Sequence, residues 1–195
     1  DIGVHAIPDQ NSEDYFTAMW QTSDGPPQDN GKYYCVMFFN NWEGIWVNDS
    51  AGQNTLITNS YLENHRKQGT FSTSKNHGDA IAWGTSHGGE VSNNTIVNNE
   101  VGFYLGSSGN PSVFNNVFLN NGQAMKGDKG HSHSNFFGNQ TIGTTPVATD
   151  LQVDPGYNVT KYGKGAYLFI PPNSPLKGKG KDGKDMGANI IYQYE

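Results

Sequence analysis

The chain has 195 residues, 34% apolar and only 15% charged, with 25 glycines, one cysteine and a formal net charge of −6. That length suits one domain, and the acidic balance does not fit a nucleic-acid binder, which needs a basic face. No stretch approaches the ~20 consecutive apolar residues that span a bilayer, and Cys35, standing alone, cannot form an internal disulfide.

From the N-terminus, Ile2, Val4 and Ile7 alternate weakly, as an opening strand would. Asn11 or Ser12 can N-cap a helix with Glu13 and Asp14 in its first turn. Phe16, Met19 and Trp20 then share one helical face. This spacing predicts a short capping helix over the N-terminal end of the fold, where bare sheet edges would otherwise be exposed. Residues 23–31, with Gly25, Pro26 and Pro27, read as a loop that closes an N-terminal unit over 1–32. Cys35 follows in the strand-like run Tyr33–Phe38, as a buried thiol.

A repeat then takes over. An Asn pair, a gap, a small residue and an apolar strand recur as Asn40-Asn41-Trp42-Glu43-Gly44-Ile45-Trp46-Val47 and Asn98-Asn99-Glu100-Val101-Gly102-Phe103-Tyr104-Leu105. The motif returns at Asn120-Asn121-Gly122-Gln123-Ala124-Met125, and a weaker copy, Asn76-His77-Gly78-Asp79-Ala80-Ile81-Ala82-Trp83, lies between the first two. The last three copies are 22 residues apart. A unit that short cannot bury its own apolar face, so its copies must stack. A second element alternates with the first, at Thr58–Leu62, Asn93–Val97, Asn115–Leu119 and Ser134–Gly138.

Stacking predicts vertical columns about 4.8 Å apart per step. Ile45, Ile81, Phe103 and Met125 form one inward column, and Tyr61, Ile96, Phe118 and Phe137 another. Asn59, Asn94, Asn116 and Asn135 are expected to form an inward amide ladder, because a buried Asn must be paired. The coils occupy 33–140. The 35-residue step from Asn59 to Asn94 marks a longer excursion over 64–79. Residues 141–195 lose the repeat and are expected to pack on the last coils.

This pattern resembles the right-handed parallel β-helix proteins of the pectate-lyase-like superfamily, of the secreted bacterial type. The tail motif Tyr167-Leu168-Phe169-Ile170-Pro171-Pro172-Asn173-Ser174-Pro175-Leu176 is similar to the closing segment of such proteins. The expected architecture is therefore an all-β solenoid of about five to six coils, outside the cell or on its surface. The superfamily hosts many chemistries, so the fold does not choose among them.

The alignment of coils places Glu43 and Asp79 in one column, with His77 two residues before Asp79. Two carboxylates ~5 Å apart suit general acid–base work and retaining glycoside hydrolysis; calcium binding and a solvated acidic corner are the alternatives. The resemblance implies the same region: Gly78-Asp79-Ala80-Ile81-Ala82 is similar to the aspartate-bearing segment of polygalacturonase-type hydrolases, and His87-Gly88-Gly89 to their His-Gly motif. Their doubled aspartate and Arg-x-Lys clamp are absent here. Related lyases use an Arg or Lys base, for which Glu63, His65, Arg66 and Lys67 are the candidates, with a solvated loop as the alternative.

Trp46, Ala82, Tyr104 and Lys126 fall on the outward side of the first strand. Trp46 and Tyr104 offer a platform for the apolar faces of sugar rings, with Lys126 and Arg66 as further substrate contacts. His131 and His133 share a face if a strand continues through them, a two-ligand metal pair. The sequence supports two functions: binding, with or without cleavage, of an extracellular polysaccharide by a lyase or glycoside hydrolase mechanism, or a non-catalytic filament, adhesin or surface-layer subunit that self-associates through its solenoid ends.

Overall fold

The computed structural model describes residues 17–21, 32–34, 37–39, 43–47, 55–65, 78–84 and 87–191. Among the described residues, fifteen short strands follow one another in the order first sheet, second sheet, third sheet, five times over. The first sheet holds β1 (Thr17–Gln21), β4 (Glu43–Val47), β7 (Asp79–Trp83), β10 (Val101–Leu105) and β13 (Gln123–Lys126). The second holds β2 (Lys32–Tyr34), β5 (Leu56–Thr58), β8 (His87–Ser92), β11 (Asn110–Phe114) and β14 (His131–Ser132). The third holds β3 (Met37–Phe39), β6 (Tyr61–Glu63), β9 (Thr95–Val97), β12 (Val117–Leu119) and β15 (Asn135–Phe137). Pairing is parallel throughout, so the chain is an all-β parallel β-helix.

The inward column of the first sheet runs Ile45, Ile81, Phe103 and Met125, as the repeat predicts, and all four are buried. Ile57, Val91 and Val113 line the second sheet. Leu62, Ile96, Phe118 and Phe136 line the third, with the rings of Phe118 and Phe136 stacked at 5.3 Å. Each such side chain contributes roughly 1.5–3 kcal/mol on leaving water. The predicted column of Tyr61 and Phe137 is therefore off by one residue, because Tyr61 pairs with Thr95 and Phe137 with Leu119.

The corners explain the slip. Asn59, Asn93, Asn115 and His133 all have left-handed backbone (φ 50°, 52°, 57° and 48°) at the first corner. Asn tolerates that region because its amide can bond locally. The next residue in each coil, Ser60, Asn94, Asn116 or Ser134, is fully buried. The first ladder thus consists of these four, and Asn59 and Asn135 lie outside it. Asn94 donates its backbone N–H and its Nδ2 to Asn116 Oδ1, both at 3.0 Å, while Ser60 donates its N–H to Asn94 Oδ1 at 3.0 Å. A second ladder stands at the corner between the third and first sheets: His65, Asn99, Asn121 and Asn139, each N–H reaching the next Oδ1 at 2.9 Å.

The predicted capping helix is not found over 17–21. Those residues form β1, paired in parallel with β4 at Met19↔Ile45 and Trp20↔Trp46. Neighbouring strands override a helical spacing that rests on only three apolar residues. The opening strand over 1–7, the helix start, the 23–31 loop, Cys35 and residues 66–77 of the excursion lie outside the described residues.

Two stubs extend the solenoid past its fifth coil. Thr141 bridges Gln123, and Leu151 bridges Asn135. The tail then crosses the outer face of the third sheet. It carries one α-helical turn, α1 (Val159–Tyr162), capped by the Asn158 side chain, which accepts the Lys161 N–H at 2.9 Å. Ile170, Leu176 and Met186 meet Tyr61, Val97, Val117 and Leu119 in a second core outside the solenoid. The left-handed Asn corners serve as the attachment rail: Asn189 N–H donates to Asn59 Oδ1, Asn93 Nδ2 to the Asp185 carbonyl, and Lys181 N–H to Asn115 Oδ1.

Candidate functional site

The outer face of the first sheet gathers the outward residues that alternation predicts. Register places Trp46 beside Ala82, Ala82 beside Tyr104, and Tyr104 beside Lys126. Trp46 and Tyr104 are partly exposed, Lys126 is exposed, and Ala82 between the rings is 4% exposed. The Lys126 ammonium lies 5.3 Å from the Tyr104 ring centroid, within cation–π range. Trp46 and Tyr104 are two strands apart, about 9.6 Å from the sheet spacing. The face therefore presents aromatic surface at two levels with a cation at one end.

A second column lies on the opposite, inward face of the same sheet. Asp79 pairs with Val101, and Val101 with Gln123. The pairing of β4 with β7 runs from Ile45↔Ile81 to Val47↔Trp83 and does not extend to Glu43 and Asp79 at the strand starts. Asp79 is 0% exposed, so its carboxylate does not face solvent. His87 opens β8 on the second sheet, opposite Asn110, so register does not place it beside Glu43 or Asp79. His77 and Arg66 lie outside the described residues. Gly44 belongs in this region for a steric reason: a Cβ there would sit 2.3 Å from the Ala80 carbonyl oxygen and 3.1 Å from His65 Nε2.

Of the charged residues Glu63, His65, Arg66 and Lys67, the last two lie outside the described residues and the first two are buried. Glu63 is buried in β6 and pairs with Lys164 of the tail at 2.8 Å. Burial, with the Glu63 carboxylate alongside, pushes the Tyr61 hydroxyl far above its usual range. Tyr167 packs on both Tyr61 and Tyr157, at 5.7 and 5.2 Å. This group fastens the tail to the third sheet. His65 occupies a ladder rung and is fully buried.

The His131–His133 pair separates, because β14 ends at Ser132 and His133 turns into the left-handed corner. His131 instead stands between two carboxylates, Nδ1 2.8 Å from Asp128 and Nε2 2.9 Å from Asp150. Burial lowers the pKa of the ring, but hydrogen bonds and charge from Asp150 and Asp128 outweigh it and raise the value above 6.5. Both carboxyls stay below their ordinary range despite burial, Asp128 through Thr144, Gly130 and His131, and Asp150 through His131, Ser134 and Val147. Sequence reasoning missed this triad because Asp150 lies beyond residue 140, where the strand motif that marks each coil is lost. Among the described residues, no group of three or more His, Cys, Asp or Glu is placed to hold a metal ion, and no helix is long and apolar enough to cross a membrane.

A crevice of about 510 Å³ separates the Asn rail from the tail, lined by Thr58, Asn59, Asn93, Lys184, Asp185 and Asn189 among others. Its amides are committed to the tail attachment: Asn59 and Asn93 bond Asn189 and the Asp185 carbonyl, and Asp185 pairs with Lys177 at 2.9 Å.

A family model described as periplasmic copper-binding protein (NosD) matches residues 34–150, more than half of the chain. No curated protein and no solved structure matches.

Proposed function

We propose a function from the premise that this chain belongs to the NosD family, described as periplasmic copper-binding proteins: it is an extracytoplasmic β-helix that binds an extended polysaccharide across the outer face of its first sheet. The family description supports work outside the cytoplasm. The observation that carries the ligand is the column Trp46, Ala82, Tyr104, Lys126, which combines two aromatic surfaces, a small residue between them and a cation over one ring. Sugar rings stack on such aromatic faces through their apolar C–H sides. Lys126 adds a partner for an acidic sugar. With Asp79 shielded from solvent, binding rather than cleavage is the activity this face supports.

The described residues assemble no copper site. It is held by imidazole, thiolate or thioether donors. Both nitrogens of His131 already face carboxylates. Met125 and Met186 are buried in separate cores, His65 lies behind Gly44, and no three-residue metal group is present among the described residues. No calcium site is assembled among the described residues either. No step of the proposed function passes through a metal.

Affinity electrophoresis against a panel of neutral and uronate polysaccharides tests the proposal. The unaltered protein should be retarded by at least one uronate polymer. Trp46→Ala with Tyr104→Ala should weaken binding about tenfold or more, at ~1 kcal/mol per lost stacking contact. Lys126→Ala should weaken uronate binding selectively. Retardation by no polymer, or retardation unchanged in the double variant, overturns it.

A further inference from the structure

The fifth coil ends differently from those above it. The inward slot filled by Val113 in β11 is filled in β14 by His131. Its ring is buried, lies edge-on to Phe136 of β15 at 5.6 Å, and has a carboxylate on each nitrogen. A neutral imidazole has one donor and one acceptor; two acceptors facing it are both satisfied only by the imidazolium, with two N–H donors. Asp128 comes from the turn before β14, and also accepts from the Gly130 N–H at 2.8 Å and the Thr144 hydroxyl at 2.6 Å. Asp150 comes from beyond the solenoid. Its Oδ1 accepts the Ser134 N–H at 2.9 Å, which makes it the closing rung of the first ladder, and its Oδ2 accepts the Val147 N–H at 2.8 Å.

The residues these carboxylates hold, 141–151, lie along the end of the solenoid. Thr141 and Ile142 pair with β13, and Leu151 pairs with β15. They cover strand edges that would otherwise offer unpaired N–H and C=O groups. We propose that Asp128, His131 and Asp150 form a proton-operated clasp: the doubly bonded imidazolium fastens residues 141–151 over the end of the solenoid, and loss of its proton releases them and uncovers the edges of β13 and β15.

His131 is held more protonated than a free histidine, so its contribution is complete below its ordinary value of about 6.5 and is lost as pH rises through its higher folded value. Asp128 and Asp150 are held more ionised than free carboxyls, so their contribution is lost only as pH falls through their depressed folded values. The clasp is closed between those limits. It also denies His131 to copper, since no ring lone pair remains.

Nitrogen-15 NMR of the histidine rings, with amide exchange of the full chain, tests the clasp. Both His131 nitrogens should carry protons at about pH 7, and the ring should titrate above its ordinary value of about 6.5. Protection of the Leu151 amide, corrected for intrinsic base catalysis, should fall about tenfold once the ring deprotonates. Asp150→Asn should lower the titration point. His131→Val, which copies Val113 above it, should abolish the pH dependence of Leu151 protection. A neutral His131 ring at about pH 7, paramagnetic broadening of that ring by added Cu(II) there, or unchanged pH dependence in His131→Val would each overturn the proposal. The ring measurements use the unaltered protein, so they decide the matter even if a variant fails to fold.

Discussion

Replacing Asn116 by Ala should be among the costliest polar substitutions in the solenoid. Asn116 is fully buried at the centre of the first ladder. Its Nδ2 donates to the Val91 carbonyl at 2.8 Å and the Phe114 carbonyl at 3.0 Å, and its Oδ1 accepts both the N–H and the Nδ2 of Asn94 at 3.0 Å. Alanine removes all four bonds. At about 1 kcal/mol net per bond the loss is ~4 kcal/mol, and desolvated partners such as the Asn94 N–H add to it. For a chain of this size that corresponds to a fall in melting temperature of roughly 8–16 °C. Asn120→Ala is the control. Asn120 is exposed, and its left-handed backbone (φ 55°) costs an alanine only about 1–2 kcal/mol. Thermal and urea melts followed by circular dichroism give the comparison. If Asn116→Ala is no more damaging than Asn120→Ala, the buried ladder does not carry the stability assigned to it.

Two further substitutions probe packing. A Cβ at Gly102 would lie 2.6 Å from the Ala124 carbonyl oxygen and 2.8 Å from Phe118 Cδ1, so Gly102→Ala should cost about 1–3 kcal/mol by overpacking in the same melts. Leu176 is fully buried in the outer core; Leu176→Ala should cost about 2–5 kcal/mol and let a protease cut within 157–191 before the solenoid, read by mass spectrometry of the fragments.

The inward column Ile45, Ile81, Phe103, Met125 was legible because a small residue precedes each member and fixes the register. The third sheet was less so. Its strands have three residues, and the corner before them needs two successive residues in different roles, one left-handed and one buried. Where both are Asn, as at 93–94 and 115–116, the residue type does not say which is which. At 59–60 the single Asn takes the left-handed role and Ser60 the rung; at 133–135 His133 and Ser134 do, so alignment on Asn alone slips by one at both ends. The second ladder was hidden for the same reason. The Trp46–Tyr104–Lys126 column could be read from alternation, whereas Asp150 of the triad stands beyond the last strand motif, where nothing in the sequence marks it as a coil position.

The equal 22-residue steps from Asn94 to Asn116 and from Asn99 to Asn121 carry an evolutionary consequence. Each rung touches only its neighbours, so the length of such a chain can change in whole coils. Copying or deleting 22 residues between matching rungs leaves both seams chemically identical to those already present. Growth of the molecule is thus a matter of gene-segment duplication, one coil at a time.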